Sequence, residues 1–340
     1  MAEKDQTTRR DFLKLCSLGL FGMITPILPR PENIIKDQQG RAIYNIIEVF
    51  DRPSFSGKLI KQIWKDSIFQ ITEVLIGDAE PEHNRVWYRI NGKGYVHSGG
   101  VQPVRTILNI PEPNIPKGGQ LAEVTVPFTD ALWEVAQVDL VAYRFYYQTT
   151  HWVVGMTLAP DGSQWYRVLD DKWELLLYAP ARHLRLIPPS ELSAISTDIP
   201  QEAKRLVVMT EEQIAIAYEW DNPVFMARTA TGAEFSNGIF YTPKGRHYTF
   251  HKRPSRHMAA GNLANNGFDL PGIPWVSYIT ESGIAFHGTY WHNDFGKPRS
   301  HGCINLTSQA AKWIFRWTHP VYFPNEQYAY NLSATKVDIL

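Results

Sequence analysis

Cysteine is scarce in this 340-residue chain: there are two, Cys16 and Cys303. With Cys16 in a leader segment, no internal disulfide is expected, and one thiol remains for packing or chemistry. A surplus of either charge is also lacking. The 34 basic side chains are matched by 34 acidic ones, which argues against a nucleic-acid partner, because such binders select a basic excess. Long apolar runs are absent outside Leu15 to Leu28, so no other segment is expected to span a bilayer. The common zinc spacings are missing as well: the chain has no Cys-x-x-Cys pair and no His-Glu-x-x-His. What is present is globular material. Aromatic residues make up 13% and charged residues 20% of the chain, and the length suits two or three compact domains.

The first thirty residues read as an export signal. Thr7-Thr8-Arg9-Arg10-Asp11-Phe12-Leu13-Lys14 precedes the apolar run, and a charged start before such a run is a signal pattern rather than a folded helix. The paired arginines followed by Phe-Leu-Lys resemble the twin-arginine signal. The resemblance implies export of the folded protein across the cytoplasmic membrane, to the periplasm, the cell wall or the medium. The exit, Pro26-Ile27-Leu28-Pro29-Arg30, shows no small-residue cleavage site. Membrane contact is therefore expected only through this segment, if it stays uncleaved.

Two soft boundaries divide the rest. Residues 111–119 are rich in Pro and Gly, and residues 188–202 begin Pro188-Pro189-Ser190. Three blocks result: 40–110, 120–188 and 203–325. The first two share a degenerate core, Trp87-Tyr88-Arg89-Ile90 and Trp165-Tyr166-Arg167-Val168, inside short β-branched and aromatic runs. Block one, with Gly94-Tyr95-Val96 after its core, resembles bacterial SH3-like domains, and block two resembles them more distantly. The third block opens with strands at 205–209, 213–219 and 224–228. Short strands are expected at Tyr248-Thr249-Phe250 and Gly283–Phe286. One helix is expected from Ser308 to Thr318, with Thr307 as N-cap and Ala310, Ala311, Ile314 and Phe315 facing inward. The expected fold is mainly β: two N-terminal SH3-like β-barrels, then a β-rich domain with one clear helix.

Chemistry concentrates in His287-Gly288-Thr289-Tyr290-Trp291-His292 and Ser300-His301-Gly302-Cys303-Ile304-Asn305. A free thiol has a pKa of about 8.5 and is mostly protonated at neutral pH. It needs a base within hydrogen-bond reach to act as a nucleophile. His287 lies sixteen residues upstream at a strand end, and a loop of that length can return the chain so that imidazole meets sulfur. Gly288 and Gly302 permit close backbone approach, and the N–H groups of Gly302 and Cys303 are candidates to face a developing oxyanion.

Ser-His-Gly-Cys-Ile-Asn with its upstream His resembles the active-site signature of the YkuD-type L,D-transpeptidase catalytic domain. Tyr241-Thr242-Pro243-Lys244-Gly245, Ile273–Tyr278 and Gly283–Gly288 extend the resemblance over about 120 residues. It implies that Cys303 is the nucleophile and His287 the general base. Ser300, His301, Gly302 and Gly288 shape the active-site loop and oxyanion site. Asn305 fixes the loop or contacts substrate, and Tyr278 and Trp291 line a substrate groove. The implied activity is peptidoglycan L,D-transpeptidation through a Cys303 thioester, with stem peptides as donor and acceptor, no cofactor or metal, and carbapenem-type compounds as inhibitors.

Three rivals stand beside this reading. Water as acceptor makes the same site an L,D-carboxypeptidase. A metal site would draw on His287, His292, His301 and Cys303, with His247, His251 and His257 upstream. A non-catalytic wall-binding module would leave Cys303 as core.

Overall fold

The computed structural model describes residues 38–236, 238–261, 267–332 and 334–340. The signal-like segment and Cys16 lie outside these residues. The described chain is mainly β, with one α-helix, Ser308–Trp317.

The two N-terminal blocks repeat one topology. In the first, seven antiparallel strands lie side by side in the chain order third, second, sixth, fifth, fourth, first, seventh. The second block, from Gln120 to Leu186, has the same order. Trp87-Tyr88-Arg89 and Trp165-Tyr166-Arg167 fall on the fifth strand of their respective sheets, Val86–Ile90 and Gln164–Leu169. Alternation explains their burial: Val49, Ile71, Ile90 and Val96 fill one core, and Val124, Phe145, Tyr166 and Leu177 the other. Residues 105–116 between them are irregular.

The third block holds two five-stranded sheets. One runs Asn222–Arg228, Ile214–Glu219, Lys204–Met209, Lys336–Ile339, Gly245–Tyr248; the other runs Ile304–Leu306, Ala285–Gly288, Phe268–Tyr278, His251–Ala260, Ala329–Tyr330. The block therefore continues past the end at 325 read from the sequence, because Lys336–Ile339 pairs in parallel with Lys204–Met209. Both sheets share a core with the helix. Leu206, Ala217 and Val337 come from the first sheet, Phe286, Ile304 and Trp275 from the second, and Ala311, Ile314, Phe315 and Trp317 from the helix. Leu121, Trp152 and Ile187 of the second block join this core, so the second and third blocks are welded by apolar burial.

The helix begins as its sequence predicts: Thr307 accepts the Ala310 N–H at its N-cap. Its C-terminal end is held by two buried lysines. Lys204 Nζ donates to Trp317 O at 3.1 Å, and Lys252 Nζ to Thr318 O and Pro320 O, each at 2.9 Å. Ammonium groups complement the carbonyl-rich, negative end of a helix. The short strand expected at 248–250 is instead the crossing between the two sheets. The ladder stops at Tyr248, Thr249 N–H donates to Thr335 O, and pairing resumes at His251.

Candidate active site

Sheet register brings the chemistry together. Ala285–Gly288 and Ile304–Leu306 are parallel, with Phe286 opposite Ile304 and His287 opposite Asn305. Cys303, one residue before Ile304, therefore lies across from Ala285. Successive side chains alternate between faces, so Cys303, Asn305 and His287 share one face while Phe286 and Ile304 point to the helix. The row continues sideways: Ala285 pairs with Tyr278, Tyr278 with His251, and His251 with Tyr330. Ala285 stands between Cys303 and Tyr278 in that row and is fully buried.

The thiol is at rest. Cys303 is half-buried, and its Sγ donates to Gly283 O at 3.7 Å. Burial pushes its pKa up to about 11, partly offset by a hydrogen bond from the Ala285 backbone. His287 is buried, and burial lowers its pKa to about 4. Its Nδ1 donates to Gly288 O at 3.0 Å, which leaves the Nε2 lone pair as the basic site. The ring of Trp291 stands 5.8 Å from that of His287, centroid to centroid. With the thiol raised and the imidazole lowered, both groups are neutral at neutral pH.

The loop that carries Cys303 is braced from several sides. Ser300 Oγ donates to Cys303 O at 2.5 Å and accepts the Gly302 N–H at 3.1 Å. The Gly302 N–H, expected to face an oxyanion, is thus committed within the loop. Gly302 has φ +108°, a left-handed region that glycine tolerates best. Gly288 is required by packing: a Cβ there would lie 2.8 Å from Pro274 Cγ and 2.9 Å from Ser308 Cα. His301 points outward and stacks on Phe235 at 4.6 Å. Asn305 is buried, with its Nδ2 3.0 Å from His292 Nε2. His292 Nδ1 accepts the Asp294 N–H. Asn305 serves the loop rather than an open groove.

Residues 203–339 match the family model of YkuD, the L,D-transpeptidase catalytic domain. That match spans the third block of the chain. The Bacillus subtilis (strain 168) protein YciB, whose name marks it as a candidate L,D-transpeptidase, is 28% identical over 128 residues, 35% of this chain and 62% of that protein. This chain thus spans less than two thirds of that relative's length. Among solved structures, the catalytic domain of E. faecium L,D-transpeptidase is 18% identical, with a TM-score of 0.32, covering 40% of this chain and 96% of that one. An L,D-transpeptidase from Mycobacterium smegmatis is 14% identical, with a TM-score of 0.34, covering 52% and 90%.

Some contacts around Cys303 have no signal in the sequence. Thr242, in the Thr242-Pro243-Lys244-Gly245 turn, clamps the loop that carries Cys303: its hydroxyl donates to Gly302 O at 2.8 Å and accepts the Gly232 N–H at 2.9 Å. Asp294 is a buried hub, 2.6 Å from Arg299, 3.0 Å from Lys297 and 2.8 Å from His83 of the first block. Those partners hold its carboxyl well below the usual range despite burial. Arg41, buried in the first block, donates to Tyr290 O at 2.6 Å. The first block therefore grips the loop between His287 and Cys303 directly. Among the described residues no three His, Cys, Asp or Glu side chains converge as a metal site, and no described helix is long and apolar enough to cross a membrane.

Proposed function

We propose that this protein is a peptidoglycan L,D-transpeptidase working by ping-pong acyl transfer on Cys303. The observation that carries the proposal is the placement of Cys303, one residue before the strand Ile304–Leu306, next to the paired strand that carries His287, with the basic nitrogen of His287 fixed by Gly288 O. The donor is a tetrapeptide stem. Cys303 Sγ attacks the carbonyl of the third residue while His287 Nε2 takes the thiol proton. The backbone N–H of Cys303 is the oxyanion donor in this reading, since that of Gly302 is taken by Ser300. The intermediate collapses to a thioester, and the proton passes from His287 to the amine of departing D-Ala. The side-chain amine of a second stem then attacks the thioester, its proton leaves by His287, and a cross-link joins two third residues. Water in place of the amine gives L,D-carboxypeptidase activity.

The reading includes location. In this reading the twin-arginine-like start is an export signal that sends the enzyme across the cytoplasmic membrane, and the two N-terminal sheets are SH3-like domains. The test is mass spectrometry of the protein and its Cys303→Ala variant, incubated with a disaccharide-tetrapeptide and separately with a carbapenem. Loss of D-Ala with a cross-linked dimer and a covalent carbapenem adduct, all absent in the variant, is expected. Loss of D-Ala without a dimer assigns a carboxypeptidase. Neither product nor adduct refutes the nucleophile and leaves a wall-binding module.

A further inference from the structure

We propose that Arg41 of the first block is a positioning residue for acyl transfer on Cys303: it clamps the main-chain carbonyl of Tyr290 and thereby seats Trp291 against the ring of His287. The inference rests on the acyl-transfer reading above.

Strand alternation sends Arg41 out of its own block. Its neighbour Ala42 lies in the core of that block, and a side chain at Gly40 would run into Phe69 and Val101. Arg41, between them on Gln39–Ala42, points the other way. It is nevertheless only 1% exposed, because the second and third blocks close over it. Its guanidinium carbon lies 4.1 Å from the centre of the Tyr146 ring of the second block, and that ring stacks on Tyr290 at 5.0 Å. Nε and Nη2 donate to Gln102 Oε1 at 3.0 and 2.8 Å, and Nη1 donates to Asp66 Oδ1 at 2.6 Å. Nη2 also donates to Tyr290 O at 2.6 Å. An apolar side chain would fill this place without desolvating a charge, but it would take the donor away from Tyr290 O. The planar fork therefore sets an orientation as well as filling space.

The clamp acts where the chain leaves the sheet. Thr289 is still tied to the strand Ile304–Leu306, its N–H and its hydroxyl donating to Leu306 O at 3.0 and 3.2 Å. Tyr290 is the next residue, and its carbonyl shares a rigid peptide plane with the N–H of Trp291. Holding that oxygen fixes the direction in which Trp291 departs. The indole packs on the cluster of Ile273, Val276 and Ala285, with its ring centre 5.8 Å from that of His287. His287 is tied through Nδ1 to Gly288 O, a single bond about which an imidazole can still tilt. The indole beside it restrains that tilt and keeps water off the ring. Further along, the first block holds the same loop again. Asn293 donates from its N–H to Gly99 O at 3.2 Å and from Nδ2 to Ser98 O at 3.3 Å, and His83 meets Asp294 at 2.8 Å.

The test follows acylation of Cys303 by a carbapenem in the full chain, with stopped-time mass spectrometry over a series of carbapenem concentrations. Each variant is read at a temperature where its circular dichroism is native. Arg41→Gln should lower the saturating rate about 100-fold, the effect of a small misplacement of a reacting group. The half-saturating concentration should change less than about threefold, since a residue so buried does not touch the ligand. Arg41→Lys keeps a cationic donor for Tyr290 O and should recover about tenfold or more of that loss. A saturating rate in Arg41→Gln within about threefold of the unsubstituted protein, a loss confined to the half-saturating concentration, or equal losses in the two variants overturns the proposal. If Arg41→Gln does not fold, Asn293→Ala carries the comparison: a fall of about tenfold in the saturating rate supports the proposal, and an unchanged rate overturns it.

NMR titration of His287 separates positioning from chemistry. In the unsubstituted protein burial lowers its pKa to about 4. The titratable groups beside it are Cys303 and His292, and Asp294, Lys297 and Arg299 act on His292; the variants alter none of them. With Trp291 unseated, the His287 pKa should rise toward the solvated value of about 6.5, and an unmoved titration overturns the route through Trp291. Acylation that proceeds undiminished in the variant sinks the positioning alone. A raised His287 pKa in the variant, with no acylation in the unsubstituted protein, sinks the acyl-transfer reading alone.

Discussion

The thiol of Cys303 should be unusually slow to alkylate at neutral pH. Burial raises its pKa to about 11 and lowers that of His287 to about 4. An ordinary thiol of pKa about 8.5 is about 3% thiolate at pH 7, whereas one near 11 is about 0.01%, a difference of roughly 300-fold in nucleophile. Iodoacetamide reacts with the thiolate alone and has no use for His287. Its rate constant with Cys303 should lie on the order of 100-fold or more below that of a free thiol at pH 7, rising tenfold per pH unit through pH 9. Acylation by a stem peptide should behave differently. There the proton passes to His287 during attack, and the competent form is the neutral pair, which dominates between about pH 4 and 11. Its rate should therefore be nearly flat from pH 5.5 to 9. The assay is stopped-time mass spectrometry of Cys303 with each reagent across that range. Rapid alkylation at pH 6, with a plateau to pH 9, would mean a preformed thiolate–imidazolium pair and would refute the reasoning.

Acid should unfold the protein through its buried histidines. His287, His292 and His151 are each less than 5% exposed and have pKa values lowered by burial to about 4, 3 and 3. The unfolded chain takes up their protons near pH 6.5 while the native state does not, so each costs about 1.4 kcal/mol per pH unit as pH falls from 6.5 toward its native value. His257, raised by Asp170 and Asp269, leaves this acid window unchanged, since its contribution is complete below about pH 6.5 and is lost only as pH rises above it. Urea midpoints at pH 7, 5.5 and 4.5 should drop steadily; equal midpoints would contradict the burial argument. Asp294→Ala removes the shared partner of His83, Lys297 and Arg299 and should cost about 3 kcal/mol. Differential scanning calorimetry reads the loss, and proteolysis within 289–299 should accelerate; an unchanged melting temperature would show that the hub contributes nothing. Gly302→Ala forces a side chain into a left-handed backbone beside Ile284, 3.2 Å from the added carbon, at a cost of about 1–3 kcal/mol. Acylation should fall about 100-fold, because a small misplacement of the nucleophile has that effect, while circular dichroism stays native; full activity would exclude a fixed loop.

Local signals were legible where chemistry and short-range structure coincide. Ser-His-Gly-Cys-Ile-Asn and the strand-end His287 marked the proposed site, because a thiol, an imidazole and permissive glycines leave a compact pattern. Thr307 announced the helix start, because a cap is a contact over three residues. The Trp-Tyr-Arg repeat foretold one strand order used twice. The long hairpin of His251–Ala260 and Phe268–Tyr278 was not legible. Pro254, Pro271 and Pro274 argue against central strands, and the charged run from His251 to His257 hides a face that is half covered by the second block. The commitment of the Gly302 N–H to Ser300, and of Asn305 to His292, likewise has no trace in spacing.

By itself, then, the sequence nominated the residues proposed to carry the chemistry and determined that short strands dominate, because backbone propensity and motif spacing are local properties. Tertiary structure alone decided what Asp171 and Asp294 meet. One carboxylate comes from the second block and meets Arg253 and Arg256, more than 80 residues on; the other meets His83, 211 residues earlier. Pairing over such separations depends on how whole domains pack, and neither pattern nor propensity encodes it along the chain.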